Sequence, residues 1–203
     1  MLSPPFKLVV DWDGTVTVRD SLWMLMERFG DRAIFERTEG GLGDELTFRN
    51  VMETQMATIT APLEEAVAFL LAEVEVRAGF ATLAARYEPT ILSGSFHETI
   101  EPVLAREGVE AVLIANRIDA RPDGWRVRWN DAAPCPVCGD LCKRRALPAD
   151  RPLVYIGDGY SDRCAALAAD RVFARRDLAE YLVSQSRPFE PFETFDDVAA
   201  ALA

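Results

Sequence analysis

The chain has 203 residues, of which 49% are hydrophobic and 27% are charged, a balance typical of a globular domain with room for an insertion. Its formal net charge of -11 argues against general binding to nucleic acid or to an anionic membrane, because both require clustered Lys and Arg. The segment from Met1 to Pro5 lacks the features of a signal peptide, and no apolar run is long enough to span a bilayer, so we expect a cytoplasmic protein with a small-molecule partner.

Five short apolar runs, each followed by a polar residue or glycine, predict the strands of a parallel sheet. A strand that is buried on both faces shows a continuous apolar run instead of an alternating one. The predicted strands cover residues 6–10, 89–92, 111–115, 153–156 and 171–174.

Helical patterns separate these strands, at residues 64–72, 79–87, 97–107, 161–169 and 178–184. Strands that alternate with helices imply crossover connections, so we predict an α/β fold with a doubly wound parallel sheet. In such sheets, ligands bind beyond the carboxyl ends of the strands. The polar residues that end the predicted strands should therefore lie together at one edge.

Two segments break the alternation. Residues 18–76 are too long for a single crossover, and their helical patterns at 21–29, 33–38 and 47–58 predict a helical cap over the strand ends. Residues 1–17 and 77–203 then form the catalytic core. The second segment, 118–129, contains an Asp-Gly pair between alternating residues, which predicts a hairpin.

Asp11 and Asp13 follow the first predicted strand, in the run Asp-Trp-Asp-Gly-Thr. Because side chains alternate along an extended chain, both carboxylates face one side and Trp12 faces the other. Two close carboxylates repel each other, so a divalent cation is their natural partner, and oxygen ligands favour magnesium over zinc. Taken alone, the same run also fits a calcium loop or a turn.

Further polar groups follow the later strands. Ser93 and Gly94 offer a hydroxyl and backbone N–H groups that can hold phosphate oxygens at a helix start, although a plain turn has the same residues. The run Gly-Asp-Gly-Tyr-Ser-Asp adds Asp158 and Asp162, with a capped helix start as the alternative. Lys143, in the segment before the strand predicted at 153–156, offers a cation for a phosphate, although taken alone it is simply a surface lysine.

In combination, these motifs resemble those of the haloacid dehalogenase superfamily of phosphohydrolases, and the resemblance covers essentially the whole chain. The insertion after the first strand and the pair Asn116-Arg117 resemble the phosphoserine phosphatase-like branch, which has a Rossmann-like core and a substrate-screening helical cap. The cysteine-rich stretch before Lys143 and the run Phe-Ala-Arg-Arg-Asp at 173–177 are similar to a group of methionine-salvage phosphatases within that branch.

The resemblance implies a phosphatase that acts on a small phosphorylated metabolite through an aspartyl-phosphate. Asp11 would be the nucleophile, and Asp13 would protonate the leaving oxygen and then activate water. Ser93, Gly94 and Lys143 would bind the phosphoryl group and stabilise its charge. A phosphotransferase or mutase, or a regulatory module without turnover, would share much of this pattern.

The resemblance also implies a Mg²⁺ cofactor. Asp11, the backbone carbonyl of Asp13 and Asp158 would hold the ion, and Asp162 would support its waters or Lys143. The metal and the lysine would together let an acidic protein bind an anionic substrate.

Two residues of the predicted cap are candidates for substrate specificity. Asp20 matches the position of an acidic residue that meets the substrate amine in phosphoserine phosphatases, and Arg49 could meet a carboxylate or phosphate. Exposed surface residues are the alternative for both. The candidate substrates are a methylthiopentenyl phosphate, phosphoserine, and phosphoethanolamine or phosphocholine; neither the substrate nor the oligomeric state is defined by a motif.

The cysteines allow two interpretations. Cys135, Cys138 and Cys142 could supply three zinc ligands, with Cys164 or His97 as the fourth. Alternatively, all four cysteines are reduced thiols and the first three lie in a substrate loop.

Overall fold

The computed structural model describes residues 6–203, so the prediction made for residues 1–5 lies outside the described residues. Within this range one sheet has seven strands: β1 (Lys7–Val10), β2 (Thr90–Phe96), β3 (Val112–Asp119), β4 (Arg126–Arg128), β5 (Leu153–Gly157), β6 (Arg171–Ala174) and β7 (Glu190–Pro191). Their order is β4-β3-β2-β1-β5-β6-β7, which places β1 at the centre.

The sheet is parallel except at one edge. β1 pairs in parallel with β2 on one side and β5 on the other, and β6 and β7 continue the parallel order. β4 runs antiparallel to β3, with Ile118 opposite Val127, and forms the predicted hairpin. The predicted doubly wound α/β fold is confirmed. β7 was not predicted, because a two-residue strand that includes a proline carries no apolar run.

Five helices lie between β1 and β2, and the first four are α1 (Ser21–Phe29), α2 (Arg32–Gly41), α3 (Phe48–Met56) and α4 (Leu63–Glu73). Polar residues before the first three helices cap them, since each side chain accepts a hydrogen bond from a backbone N–H of the first turn. The pairs are Asp20 with Trp23 (2.8 Å), Asp31 with Ile34 (3.0 Å) and Thr47 with Asn50 (3.2 Å). The domain boundaries at 17/18 and 76/77 stay a prediction.

The remaining helices of the described residues are α5 (Phe80–Tyr87), α6 (His97–Arg106), α7 (Arg163–Ala166), α8 (Arg176–Ser184) and α9 (Phe195–Leu202). The predicted helix at 161–169 is wrong in its extent, because Tyr160–Asp162 forms a tighter turn and α7 has only four residues. The unpredicted α9 begins at a capping box in which Thr194 accepts from the N–H of Asp197 at 3.3 Å. Within residues 6–203, no helix combines the length and hydropathy needed to cross a membrane.

The two faces of the sheet bury separate apolar clusters, as the two-residue period of a strand requires. Leu8 and Val10 of β1 belong to the larger cluster, together with Trp12. Val9 belongs to the smaller cluster, which includes Leu178 of α8. Apolar residues cover both faces of β1. The polar residues that follow β1 in the sequence therefore lie beyond its carboxyl end.

The hairpin of β3 and β4 is attached to the helices that follow β1. Trp125 is fully buried, and its indole Nε1–H donates to the carbonyl oxygen of Ala61 at 2.9 Å. Its backbone N–H lies 3.1 Å from the carbonyl oxygen of Met56 and 3.0 Å from that of Ile59. Trp125 therefore joins the edge of the sheet to the end of α3.

We expect Trp125→Ala to lower the free energy of unfolding by about 3–5 kcal/mol, because it removes a large buried ring together with its hydrogen bond. Urea unfolding of the purified protein measures the change. Trp23→Ala is the matched control, since the Trp23 side chain is 51% exposed and its loss should change stability little. Equal effects of the two substitutions would contradict this role for Trp125.

Candidate active site

The chain leaves β1 at Asp11 and makes a wide turn over Trp12–Val16. Gly14 in this turn has a φ of 71°, in the left-handed region that favours glycine. A Cβ atom at Gly14 would lie 2.2 Å from Oδ2 of Asp158. The turn after β1 and the carboxylate after β5 can therefore approach closely only because position 14 has no side chain.

Arg77 stabilises this turn through hydrogen bonds to its backbone. Its buried guanidinium donates to the carbonyl oxygens of Thr15 (2.8 Å), Gly14 (2.9 Å) and Thr17 (3.2 Å). Burial, with the positive charge of Arg175 adding to it, lowers the pKa of Arg77 to about 10, so the side chain stays charged at neutral pH. Sequence reasoning missed this residue, because a single arginine outside any motif gives no signal.

Three carboxylates and one ammonium group meet at the ends of β1 and β5. Asp11, Asp158 and Asp162 are buried, and each offers an oxygen within 4.8 Å of the others. The buried Nζ of Lys143 donates to Oδ1 of Asp11 and, at 2.6 Å, to Oδ1 of Asp162. Arg176 is half exposed and lies 3.8 Å from Asp158, so it compensates little of the negative charge of that carboxylate. The buried cluster of three acids and one base has an excess of two negative charges.

Burial and this excess of negative charge shift the pKa values of the cluster. Burial, with the charge of Asp162 adding to it, raises the pKa of Asp11 well above its usual value despite the opposing effect of Lys143. The same two causes raise the pKa of Asp158 to about 6. Burial would lower the pKa of Lys143, but the carboxylates of Asp11 and Asp162 outweigh it and raise that pKa. Lys143 therefore stays an ammonium, and a divalent cation would complete the charge balance.

Asp162 has little capacity left for a metal. Its Oδ1 accepts from Lys143 and from the hydroxyl of Tyr155, both at 2.6 Å, and its Oδ2 accepts from the N–H groups of Asp158 and Gly159, both at 3.0 Å. In contrast, Oδ2 of Asp11 accepts no hydrogen bond from residues 6–203. Asp11 and Asp158 thus present hard oxygen donors that fit magnesium, while Asp162 holds the loop and Lys143 in place.

Asp13 is oriented by donors from two distant elements. Its Oδ1 accepts from the N–H of Ser21 at 2.9 Å and also from the Ser21 hydroxyl, and its Oδ2 accepts from the hydroxyl of Ser95. Ser21 begins α1, and Ser95 lies in β2, where its N–H donates to Oγ of Ser93 at 2.9 Å. Neither Ser21 nor Ser95 was among the predicted site residues, although the spacing of Ser95 from Ser93 places both on one side of the strand.

A cavity of about 640 Å³ lies above these groups and brings together most of the predicted site. Its lining includes Asp11, Asp13, Asp20, Gly94, Asp158 and Asp162. Ser93 and Lys143 line a smaller cavity beside it, and Phe48 and Gly94 line both. The strand ends therefore meet at one place, as a parallel sheet predicts.

The two specificity candidates have different positions. Asp20 lines the large cavity, and burial of its carboxyl, with the charge of Asp13 adding to it, raises its pKa to about 8. Arg49 lies outside the lining of both cavities. Its guanidinium donates to the carbonyl oxygen of Ala132 at 2.9 Å and lies 5.5 Å from the centre of the Trp129 ring. The structure thus does not bring Arg49 to the other candidate residues.

Comparisons with known proteins cover nearly the whole chain. The family model of the haloacid dehalogenase-like hydrolases matches residues 8–167. A 2-hydroxy-3-keto-5-methylthiopentenyl-1-phosphate phosphatase of Bacillus cereus is 28% identical over 97% of this chain and 95% of that protein. The polyol phosphate phosphatase of Saccharomyces cerevisiae is 31% identical over 96% of this chain and 91% of that protein.

Solved structures show the same fold at lower identity. A phospho-aspartyl intermediate analogue of phosphoserine phosphatase matches with a TM-score of 0.73 at 13% identity, covering 100% of both chains. Phosphoserine phosphatase from T. onnurineus matches with a TM-score of 0.70 at 18% identity, covering 100% of this chain and 97% of that one. At these identities, the two structures support the fold alone. The chemistry is argued from the residues described above.

The pKa shifts predict that, without a divalent cation, stability falls as pH rises from 5 to 8. The pKa values of Asp158 (about 6) and Asp20 (about 8) lie above 3.8, so the folded state binds more protons than the unfolded state in this range. Magnesium should raise the Tm more at pH 8 than at pH 5, because it binds the ionised carboxylates.

Thermal unfolding with chelator and then with magnesium measures both effects. Asp158→Asn should raise the metal-free Tm at pH 8 by a few degrees, about 1–2 kcal/mol, and abolish the shift caused by magnesium. Asp123→Asn is the control, since that side chain is 72% exposed in the hairpin. A metal-free Tm that rises steadily from pH 5 to pH 8 would contradict the assignment.

Proposed function

This chain belongs to the haloacid dehalogenase-like hydrolase family and is a phosphatase of small phosphorylated metabolites, and we propose that it uses magnesium and an aspartyl-phosphate on Asp11. The resemblance found in the motifs is confirmed at the level of the family. The observation that carries the finer proposal is the buried cluster of three carboxylates beside Lys143, with its excess of two negative charges. Bound there, magnesium supplies positive charge for the oxygens of the phosphoryl group.

In the proposed reaction, the ionised carboxylate of Asp11 attacks phosphorus and the ester bond to the leaving oxygen breaks. Asp13 gives its proton to that oxygen, and then, as a carboxylate, takes a proton from the water that hydrolyses the aspartyl-phosphate. Lys143 orients Asp11 and neutralises charge on the phosphoryl group, together with the Ser93 hydroxyl. Asp11, the carbonyl of Asp13 and Asp158 would hold the metal.

The environment of Asp13 supports turnover over a regulatory role. A phosphorylated switch needs only a carboxylate that accepts phosphate, and gains nothing from a second acid beside it. Here Asp13 is oriented by Ser21 and Ser95, which come from two separate elements. A phosphotransferase would use the same groups, so the identity of the acceptor must be measured.

One wall of the large cavity favours a substrate with an apolar end. It is built by residues of α1 to α3, namely Leu22, Trp23, Phe35, Val51 and Met52. The rings of Trp23 and Phe35 stack with their centres 5.9 Å apart. This wall supports a methylthio chain, as in 2-hydroxy-3-keto-5-methylthiopentenyl-1-phosphate, for which the Bacillus cereus relative is named. A role in methionine salvage, and with it the predicted cytoplasmic location, is therefore our first proposal.

A polyol phosphate is the second candidate. Glu39 of α2 and Gln55 of α3 also line the cavity, with Nε2 of Gln55 donating to Oε1 of Glu39 at 2.7 Å, and offer partners for hydroxyl groups. The yeast relative is named for polyol phosphates. Phosphoserine fits less well, because Glu39 repels its carboxylate and Arg49 lies outside the cavity. Phosphoethanolamine and phosphocholine lack that carboxylate and belong in the test panel.

Phosphate release from purified protein over this panel tests the function directly. We expect release that requires magnesium, stops with excess chelator and is fastest on one compound. An added alcohol such as glycerol separates a hydrolase from a transferase, since only a transferase forms the new phosphoester. If the protein released phosphate from none of these compounds, the proposed reaction would be contradicted.

We expect Asp11→Asn to reduce kcat by about four orders of magnitude or more, because the amide cannot act as the nucleophile. The fold should persist, since the amide has the same shape and removes one of the excess buried charges. Circular dichroism and the Tm check the fold, and Asp123→Asn is the control for activity. Wild-type turnover in purified Asp11→Asn would overturn the assignment of the nucleophile.

We expect Trp23→Ala to raise KM about 5- to 20-fold for a thioether substrate and to leave kcat nearly unchanged, because the wall binds the tail and not the reacting atoms. KM for glycerol phosphate, which has no apolar tail, is the internal control and should change little. Equal increases in KM for both substrates would argue against an apolar tail site.

A further inference from the structure

The four cysteines of the chain gather at one place outside the carboxylate cluster. Cys135, Cys138, Cys142 and Cys164 each place Sγ within 4.8 Å of the other three. All four are free thiols, and Sγ of Cys135 lies 3.9 Å from Sγ of Cys164. Four sulfurs at 2.3 Å from a tetrahedral zinc ion lie about 3.8 Å apart, so the cluster already has nearly the size of a zinc site.

We propose that these four cysteines bind one structural zinc ion, distinct from the magnesium proposed for the carboxylates. Thiolates are soft ligands that favour zinc, whereas the carboxylates are hard ligands that favour magnesium. Four protein ligands leave no open position for water or substrate, which is the arrangement of structural zinc sites. The proposal does not depend on the proposed substrate or mechanism.

The turn around the first two cysteines has the form of a metal-binding loop. Cys135 and Cys138 have the C-x₂-C spacing of zinc sites. The N–H of Gly139 donates to the carbonyl oxygen of Cys135 at 2.9 Å, and Gly139 has a φ of 77°, which favours glycine. The N–H of Val137 points at Sγ of Cys135 at 3.4 Å. A backbone N–H directed at sulfur stabilises the thiolate that a metal requires.

Hydrophobic burial does not account for the cluster. Cys138 is exposed and Cys142 is only half buried, so a shared apolar environment does not hold these two sulfurs beside the buried pair. Residues 129–142 form neither helix nor strand, and the cluster joins this irregular loop to α7. His97, the alternative fourth ligand, contacts Glu101 at 2.7 Å instead. A bound zinc ion would account for the defined shape of this irregular loop.

The position of the cluster makes the zinc a positioning element for the active site. Cys142 directly precedes Lys143, and Cys164 comes two residues after Asp162. These neighbours form the 2.6 Å ion pair at the centre of the carboxylate cluster. In the same loop, Asp140 accepts from the N–H of Phe48 at 2.7 Å, at the start of α3. The zinc would thus hold both sides of the ion pair and one contact to the helices above it.

The first test is the metal content of the full-length protein, purified from zinc-containing medium and dialysed against excess magnesium to clear the carboxylates. We expect about one zinc per chain in the wild type and a large loss in Cys138→Ser and in Cys164→Ser. Val137→Ala, an exposed position in the same turn, should keep its zinc. Asp158→Asn should keep zinc and lose activity, which separates this proposal from the proposed function.

A second test needs no substitution and so does not depend on whether the variants fold. A mercurial thiol reagent should release one zinc per chain, followed with a zinc-binding dye, and the Tm should fall at constant magnesium. Replacement by cobalt(II) should give the thiolate charge-transfer and tetrahedral d–d absorption bands. The proposal would be overturned if the wild-type protein contained no zinc above background and all four thiols reacted with the reagent as fast as an exposed cysteine. A disulfide among the four, or zinc lost from Asp158→Asn but kept by the cysteine variants, would do the same.

Discussion

The charge balance at the carboxyl ends of β1 and β5 is the constraint on which the site depends. Two adjacent parallel strands bring Asp11, Asp158 and Asp162 into one buried space, and Lys143 compensates only one of their charges. An excess of two charges in a low-dielectric space is costly unless a divalent cation or protons remove it. A divalent cation bound there would cancel this excess and offer a positive centre to an anion, which would let a chain of net charge -11 accept a phosphate at this site.

The groups around this cluster hold it in shape, and they come from distant parts of the chain. Arg77 donates hydrogen bonds to the carbonyls of the turn after β1. Tyr155 and two backbone N–H groups donate hydrogen bonds to the carboxylate oxygens of Asp162. Ser21 and Ser95 orient Asp13 from the first helix and the second strand. Because Ser21 belongs to the helices that form the cavity wall, the position of those helices directly affects the orientation of Asp13.

The sequence predicted the parallel strands, and the place where the candidate site residues meet, for a physical reason: strands buried on both faces are continuous apolar runs, and the candidate residues follow them directly. Local patterns carry no signal for side chains that act over long distances. Arg77 and Ser21 contact the site through the fold alone, and Arg49 turns away because Trp129 and Ala132 provide its contacts. Likewise, only the folded chain shows that Cys164 reaches the other cysteines.

The attachment of Trp125 to the carbonyls of Met56, Ile59 and Ala61 has a consequence for how molecules enter and leave. A lid connected by two chain crossings alone can swing as a rigid body about that hinge. Here Trp125, next to the edge strand β4, is a further connection to these helices, and a rigid-body swing would have to break its hydrogen bonds. Such a swing would also expose the fully buried ring of Trp125, so movement of α1 to α4 as one rigid body is disfavoured relative to local movement of single side chains such as the exposed Trp23.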